Sequence, residues 1–268
     1  MNERLSGSTN IWLTGAGSGI GQALARKLLA DGHHLLISGR QRAPLEAIKT
    51  LARGRVEVLP VDIATDERLS DQLQQPLKEL APLGMVILNA GTCEYLDASQ
   101  FDASVVERNM ATNVIGTARC IEAALPALRA TRRQGLPATL VIVSSSAWWF
   151  PFGRAEGYGA SKAALSYLAR SLRADLASEG IEVVLVSPGF VDTPLTRQND
   201  FPMPFLVSAD AAAQRLIQGL HSGRSELEFP RRFTWMLRIL GALPRGLVDA
   251  LAARLARPET KKKTEDTQ

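Results

Sequence analysis

The stretch Asn10-Ile11-Trp12-Leu13-Thr14-Gly15-Ala16-Gly17-Ser18-Gly19-Ile20-Gly21 changes character at its middle. Its first five residues form a short apolar run suited to a buried strand. A helical pattern over 20–30 follows, stopped by Asp31-Gly32. The glycines between them allow a tight turn and a close approach of backbone to a pyrophosphate. The helix start offers unpaired N–H groups and a positive dipole end to an anion. Glycine-rich turns also arise for structural reasons alone, and it is the position between a predicted strand and a predicted helix that favours the phosphate reading.

Outward from this turn the alternation repeats. The patterning predicts strands over 34–38, 56–59, 85–88, 140–143 and 181–186, and helices over 45–51, 66–80, 103–129 and 158–178. The strands are nearly continuous Val, Ile and Leu, as expected for a parallel sheet covered by helices on both faces. The fold class is therefore α/β, a doubly wound parallel sheet of Rossmann type. One domain is expected over 1–230, with a helical extension over 231–258 and a polar tail over 259–268.

A length of 268 residues, 46% hydrophobic and 22% charged, suits one large soluble domain and excludes wholesale disorder, collagen-like repeats and disulfide-stapled miniproteins. Cys93, Cys120, His33, His34 and His221 lie at no zinc-ligand spacing, so no metal is expected and they read as packing or surface residues. The net charge of +4 is scattered, which gives no nucleic-acid footprint. No secretory pattern opens the chain, and no run reaches the roughly 18 apolar residues of a membrane span, so a cytoplasmic location is expected.

In such a sheet ligands bind beyond the carboxyl ends of the strands. The second strand ends Ile37-Ser38-Gly39-Arg40. An acidic residue there would bond an adenosine ribose and repel a 2′-phosphate, whereas Arg40 can grip that phosphate, favouring NADP(H) over NAD(H). After the third strand, Asp62 can accept from an adenine amino group or cap a helix. Asn89-Ala90-Gly91, after the fourth, leaves room for a flat ligand. Tyr158 and Lys162, four residues apart, share one helix face. An ammonium beside the phenol is expected to draw its pKa from about 10 toward neutrality, making Tyr158 a proton donor or acceptor near physiological pH.

Together, the glycine loop, Asn89-Ala90-Gly91, Ser144-Ser145-Ser146 and Tyr158-Gly159-Ala160-Ser161-Lys162 resemble the short-chain dehydrogenase/reductase family, in its TGxxxGxG and YxxxK subgroup, over roughly residues 9–230. The resemblance implies that Thr14, Gly15, Ser18, Gly19, Ile20 and Gly21 hold the pyrophosphate, that Arg40 reads the 2′-phosphate, and that Asp62 and Ile63 contact adenine. It places Asn89, Ala90 and Gly91 behind the cofactor and makes Asn113 the holder of a water behind the lysine. Family spacing, thirteen residues before Tyr158, selects Ser145. Pro188, Gly189 and Thr193 match the stretch contacting the nicotinamide carboxamide, and the nicotinamide ribose falls to Tyr158 and Lys162. Trp148 departs from the glycine that many members carry there, which is expected to alter the pocket wall.

The implied activity interconverts a carbonyl and an alcohol: Tyr158 exchanges the proton, Ser145 holds the oxygen, and Asn113 extends the proton path. Trp148, Trp149, Phe150 and Phe152, with Phe201, Pro202, Met203, Pro204 and Phe205 in a lid, suggest an apolar pocket or, equally, packing within the domain. Beyond Pro230, apolar residues at helical spacing interleaved with arginines fit an interfacial helix pair on an anionic membrane, a subunit contact, or a cover over the substrate pocket. The family usually forms homo-dimers or homo-tetramers. The rival readings are a non-catalytic dinucleotide-binding regulator, which would not need Tyr158 and Lys162, and a peripheral membrane interaction protein resting on the extension alone.

Overall fold

The computed structural model describes residues 4–5, 7–66 and 68–255. In chain order the strands are β1 (Asn10–Thr14), β2 (His34–Gly39), β3 (Val56–Pro60), β4 (Leu83–Leu88), β5 (Ala138–Val143), β6 (Ile181–Pro188), β7 (Val191–Asp192), β8 (Val207–Ser208) and β9 (Glu226–Phe229). The helices are α1 (Gly19–Ala30), α2 (Arg42–Lys49), α3 (Leu69–Glu79), α4 (Ala103–Met110), α5 (Thr117–Arg133), α6 (Glu156–Asp175), α7 (Ala209–His221), α8 (Arg231–Gly241) and α9 (Arg245–Leu255).

Seven strands form one parallel sheet in the order β3-β2-β1-β4-β5-β6-β9, and β7 pairs with β8 beside it. Strand side chains alternate between faces, so each strand feeds two cores. Ile11 and Leu13 join Leu24 and Leu28 of α1, Leu45 of α2 and Leu216 of α7 on one face. Trp12 points to the other, among Leu73 of α3, Leu128 of α5 and Leu165 of α6. Its buried indole N–H donates to Ser38 Oγ at 3.1 Å, so burying the ring leaves no donor unpaired.

The strand order reverses between β1 and β4, which opens a crevice at their carboxyl ends. Register fixes what meets there: Thr14 lies opposite Ser38, and Val143 opposite Val186. The glycine turn therefore sits beside the end of β2, and Ser144-Ser145 beside Ser187-Pro188.

Two regions differ from the sequence expectation. The predicted helix over 103–129 is continuous in course but widens into a π-helical segment, Ala111–Gly116, between α4 and α5. Such widenings often mark functional positions, and Asn113 lies inside this one. Gly116 allows the run to press against β3's successor loop, since a Cβ there would stand 2.8 Å from the Ile63 carbonyl oxygen. Beyond 186, α7 and β9 complete the sheet and its cover. After β9, α8 and α9 build a third, smaller core in which Phe233, Leu237 and Val248 enclose Phe150. Residues 256–268, including the polar tail expected over 259–268, lie outside the described residues.

Candidate active site

The turn between β1 and α1 is bare backbone held in place from behind. Gly15 and Gly19 adopt φ of 68° and 53°, conformations that side chains disfavour. A Cβ on Gly15 would stand 2.7 Å from Ala90 Cα, and one on Gly19 would stand 2.9 Å from Thr193 Cγ2. Thr14 Oγ1 accepts from the N–H groups of Asn89 and Ala90 at 3.0 and 3.1 Å, and Asn89 Nδ2 donates to the carbonyls of Thr14 and Gly15. Ser18 caps α1 without a side-chain hydrogen bond, and the Gln22 N–H is the first to return to the Ser18 carbonyl. The N–H groups of Gly19, Ile20 and Gly21 thus remain for an anion.

At the end of β2, Gly39 lies against Gly17, and Arg40 is exposed with no ion pair among the described residues. Asp62 Oδ1 accepts from the Ala64 N–H at 3.0 Å, closing a local turn. Helix α3 begins only at Leu69, so Asp62 is not its cap. Ile63 is buried. A bare cradle, an uncovered helix start and an unpaired guanidinium fit a dinucleotide phosphate chain.

The second cluster sits where β5 ends and α6 begins. Tyr158 and Ser145 are hydrogen-bonded through their side chains, and Ser145 Oγ also accepts from the Ala147 N–H at 3.2 Å. Its neighbours are otherwise occupied: Ser144 Oγ donates to the Lys162 carbonyl and contacts Ser166. Lys162 Nζ donates to the Val143 carbonyl at 3.2 Å and lies 5.8 Å from the centre of the Tyr158 ring. Burial lowers its pKa to about 8. The expected lowering of the phenol toward neutrality does not prevail in this arrangement. Burial dominates and holds the Tyr158 phenol above its ordinary value, opposed only by the Ser145 hydrogen bond.

Asn113, fully buried, makes three hydrogen bonds: Oδ1 accepts from the Thr92 N–H, and Nδ2 donates to the Thr92 carbonyl and to Ser161 Oγ. This bracing task was not anticipated. One turn earlier Asn109 does the same for Glu94, accepting from its N–H and donating to its carbonyl. Gly91 makes room for the group, since a Cβ there would stand 3.0 Å from Asn113 Oδ1 and 3.3 Å from Lys162 Nζ.

Ser145 and Tyr158 open into a pocket lined by Cys93, Tyr95, Phe152, Phe190, Phe201 and Phe233. Of the aromatic residues expected there, Phe152 and Phe201 arrive. Phe150 is core, and the lining does not include Trp148 or Trp149. The Trp148 indole N–H instead reaches Ser187 Oγ at 3.3 Å, with Arg170 over its ring, so this departure does not build the pocket wall as expected. Cys93, read from sequence as a packing or surface residue, faces the pocket. Phe233 lies in the extension for which a cover over the pocket was one expectation, and it does line the pocket; Tyr95 and Phe190 were not expected there, because the proximity of the three depends on two separate loops and a helix. Tyr95 Oη donates to Asn199 Oδ1 at 2.7 Å and joins the segment between β7 and β8 to the loop after β4. Pro188 ends β6, and the Gly189 N–H donates to the Phe229 carbonyl at 2.7 Å, with Phe233 packed where a Cβ would be. Among the described residues no group of three or more His, Cys, Asp or Glu is arranged to hold a metal, and no helix is long and apolar enough to cross a membrane.

Residues 9–202 match the family described as short chain dehydrogenase. The chain belongs to that family. It is a NAD(P)-dependent oxidoreductase acting on carbonyl and alcohol groups. It is 34% identical over 246 residues to an uncharacterized oxidoreductase of Myxococcus xanthus, covering 91% of this chain and 96% of that one. A 3-dehydrosphinganine reductase of Arabidopsis thaliana is 31% identical over 204 residues, 76% of this chain and 61% of that one. A short chain dehydrogenase from Burkholderia cenocepacia, solved in complex with NADP, superposes with a TM-score of 0.76 at 24% identity, covering 94% of this chain and 99% of the other. One from Sphingobium yanoikuyae, in complex with NADPH, gives 0.74 at 22% identity, covering 96% and 99%.

Proposed function

We propose that this dehydrogenase uses NADP(H) and reduces an apolar ketone or aldehyde, or oxidises the corresponding alcohol, with Tyr158 as the general acid or base. The observation that carries this reading is the half-buried Tyr158 phenol, hydrogen-bonded to Ser145 in a pocket walled by aromatic rings. The dinucleotide, when bound, supplies or accepts the hydride.

A substrate oxygen lodged between Tyr158 Oη and Ser145 Oγ receives two hydrogen bonds that shorten as negative charge develops on it. Burial keeps the phenol protonated at neutral pH, which suits it to give its proton to that oxygen. Lys162 is still an ammonium below about pH 8 and holds the nicotinamide ribose hydroxyls. Its charge favours phenolate as the proton leaves. Asn113 is a positioning residue that fixes Thr92 and the Ser161 turn beneath Tyr158. Arg40 takes the 2′-phosphate, and Asp62 and Ile63 border the adenine. NADP and NADPH in the Burkholderia and Sphingobium proteins support this cofactor, and the Arabidopsis relative's name supports a ketone substrate. Exposed Ile115 and Tyr167, 48% and 78% accessible, support assembly of copies through the faces of the π-helical segment and α6.

Tyr158→Phe tests the reading. NADPH oxidation with a panel of ketones and aldehydes is expected to fall at least about a hundredfold while NADPH binding, followed by fluorescence, is kept. Substantial turnover by this variant removes Tyr158 from the role.

A further inference from the structure

Helix α8 has two apolar faces, and only one is covered. Phe233 and Leu237 enter the small core beside the pocket. Arg232, Trp235, Met236 and Ile239, spaced so as to share the opposite side, are exposed, with Trp235 and Ile239 at 55% and 57% accessibility. Leu247 and Leu255 of α9 are similarly open, at 55% and 59%. Scattered exposed leucines mean little, but an aromatic and two large aliphatic side chains on one helix face form a patch.

The charges around it are predominantly positive. Arg231, Arg232, Arg245 and Arg254 are exposed and make no ion pair among the described residues, and Asp249 is the one acid in α8 and α9. Arg238 is different, being tied to Glu228 at 3.0 Å and stacked over Trp149. That tie, and Gly241 pressed against the Trp149 carbonyl, fix α8 to the sheet edge, so the open face is held outward. A second copy meeting this face about a two-fold axis would set unpaired guanidiniums against each other.

We propose that the exposed side of α8 and α9 docks on an anionic lipid bilayer, with Trp235, Met236 and Ile239 in the acyl boundary and the flanking arginines among the headgroups. Docking brings the pocket close to the bilayer, because Phe233 on the same helix lines the pocket and contacts exposed Phe205 of the lid at 6.1 Å. The docking claim does not rest on the proposed chemistry.

Co-sedimentation of the full chain tests it, with vesicles of phosphatidylcholine alone or containing phosphatidylglycerol. The chain is expected to pellet with the anionic vesicles and, with salt screening the attraction, less at high ionic strength. Arg231→Ala with Arg232→Ala is expected to weaken partitioning roughly thirtyfold, at about 1 kcal/mol per arginine. Trp235→Ser with Ile239→Ser is expected to abolish it while reduction of a water-soluble ketone and the melting temperature are kept. Pelleting that both double variants retain overturns the proposal, as does no pelleting by the wild type. Binding to polyglutamate without vesicle binding assigns the face to an acidic protein. Dissociation of an oligomer by Trp235→Ser with Ile239→Ser, seen in sedimentation velocity, assigns it to a second copy. Either result overturns the lipid assignment.

Discussion

Gly21 approaches Gly15 so closely that a Cβ on Gly21 would stand 2.1 Å from the Gly15 carbonyl oxygen and 2.6 Å from Asn89 Nδ2. The first turn of α1 thus lies on the loop that it follows, and Asn89, just after β4, holds that loop through the Thr14 and Gly15 carbonyls. No side chain fits between them. Gly21→Ala is expected to displace the loop, raise the NADPH dissociation constant at least about tenfold and lower the melting temperature. Gly17→Ala, whose Cβ would meet Pro44 at 3.4 Å, is the milder comparison. Fluorescence titration and thermal denaturation of the two variants check this; equal NADPH affinity in both would count against the cradle.

In the proposed reading Arg40 sets the preference for NADP(H). Its guanidinium has no ion pair among the described residues, so removing it strands no carboxylate. Arg40→Ala is expected to raise the KM for NADPH by about ten- to a hundredfold, the value of a charge-assisted phosphate contact, and to leave the KM for NADH nearly unchanged. Steady-state kinetics with both cofactors decide it.

Lys162 is kept buried at a cost to stability. Its pKa falls from 10.5 to about 8 on folding, so between those values the unfolded chain binds more protons and stability rises with pH. Below about pH 8 the penalty is fully present, and it disappears above 10.5. Lys162→Met is therefore expected to raise the melting temperature by several degrees at pH 7, to lose that advantage near pH 10.5, and to abolish turnover. A melting temperature lowered at pH 7 would contradict the burial argument.

Titration of the same lysine predicts a pH profile. The ratio kcat/KM for NADPH reports the free enzyme, in which Lys162 loses its charge through about pH 8. The ratio is expected to fall above that pH, while the phenol, held up by burial, contributes no loss in this range.

Cys93 faces the pocket, whereas Cys120 is buried and its thiol is pushed up to about 12. N-ethylmaleimide is expected to inactivate the enzyme by alkylating Cys93 alone, substrate is expected to protect, and Cys93→Ala should resist. Peptide mass mapping identifies the modified residue, and inactivation of Cys93→Ala at the wild-type rate refutes the assignment.

The linear chain already carried the alternation of strands and helices, because Val, Ile and Leu runs and helical spacing are local properties. It also carried the glycine turn and the Tyr158 and Lys162 pair, whose residues lie within one turn or one helical step of each other. Other features were beyond its reach. The π-helical segment around Asn113 depends on how the helix presses against Ile63 and Thr92, groups distant in sequence. The direction in which Tyr158 titrates follows from burial by surrounding elements, which spacing to Lys162 does not report. The pocket wall is assembled from the loop after β4, the segment after β6 and α8, so Tyr95, Phe190 and Phe233 acquire their meaning only when the fold closes. The arginine-rich extension read equally as membrane, subunit or pocket contact. Packing of Phe233 and Leu237 settled which face turns inward, since one side of a helix cannot be both buried and exposed.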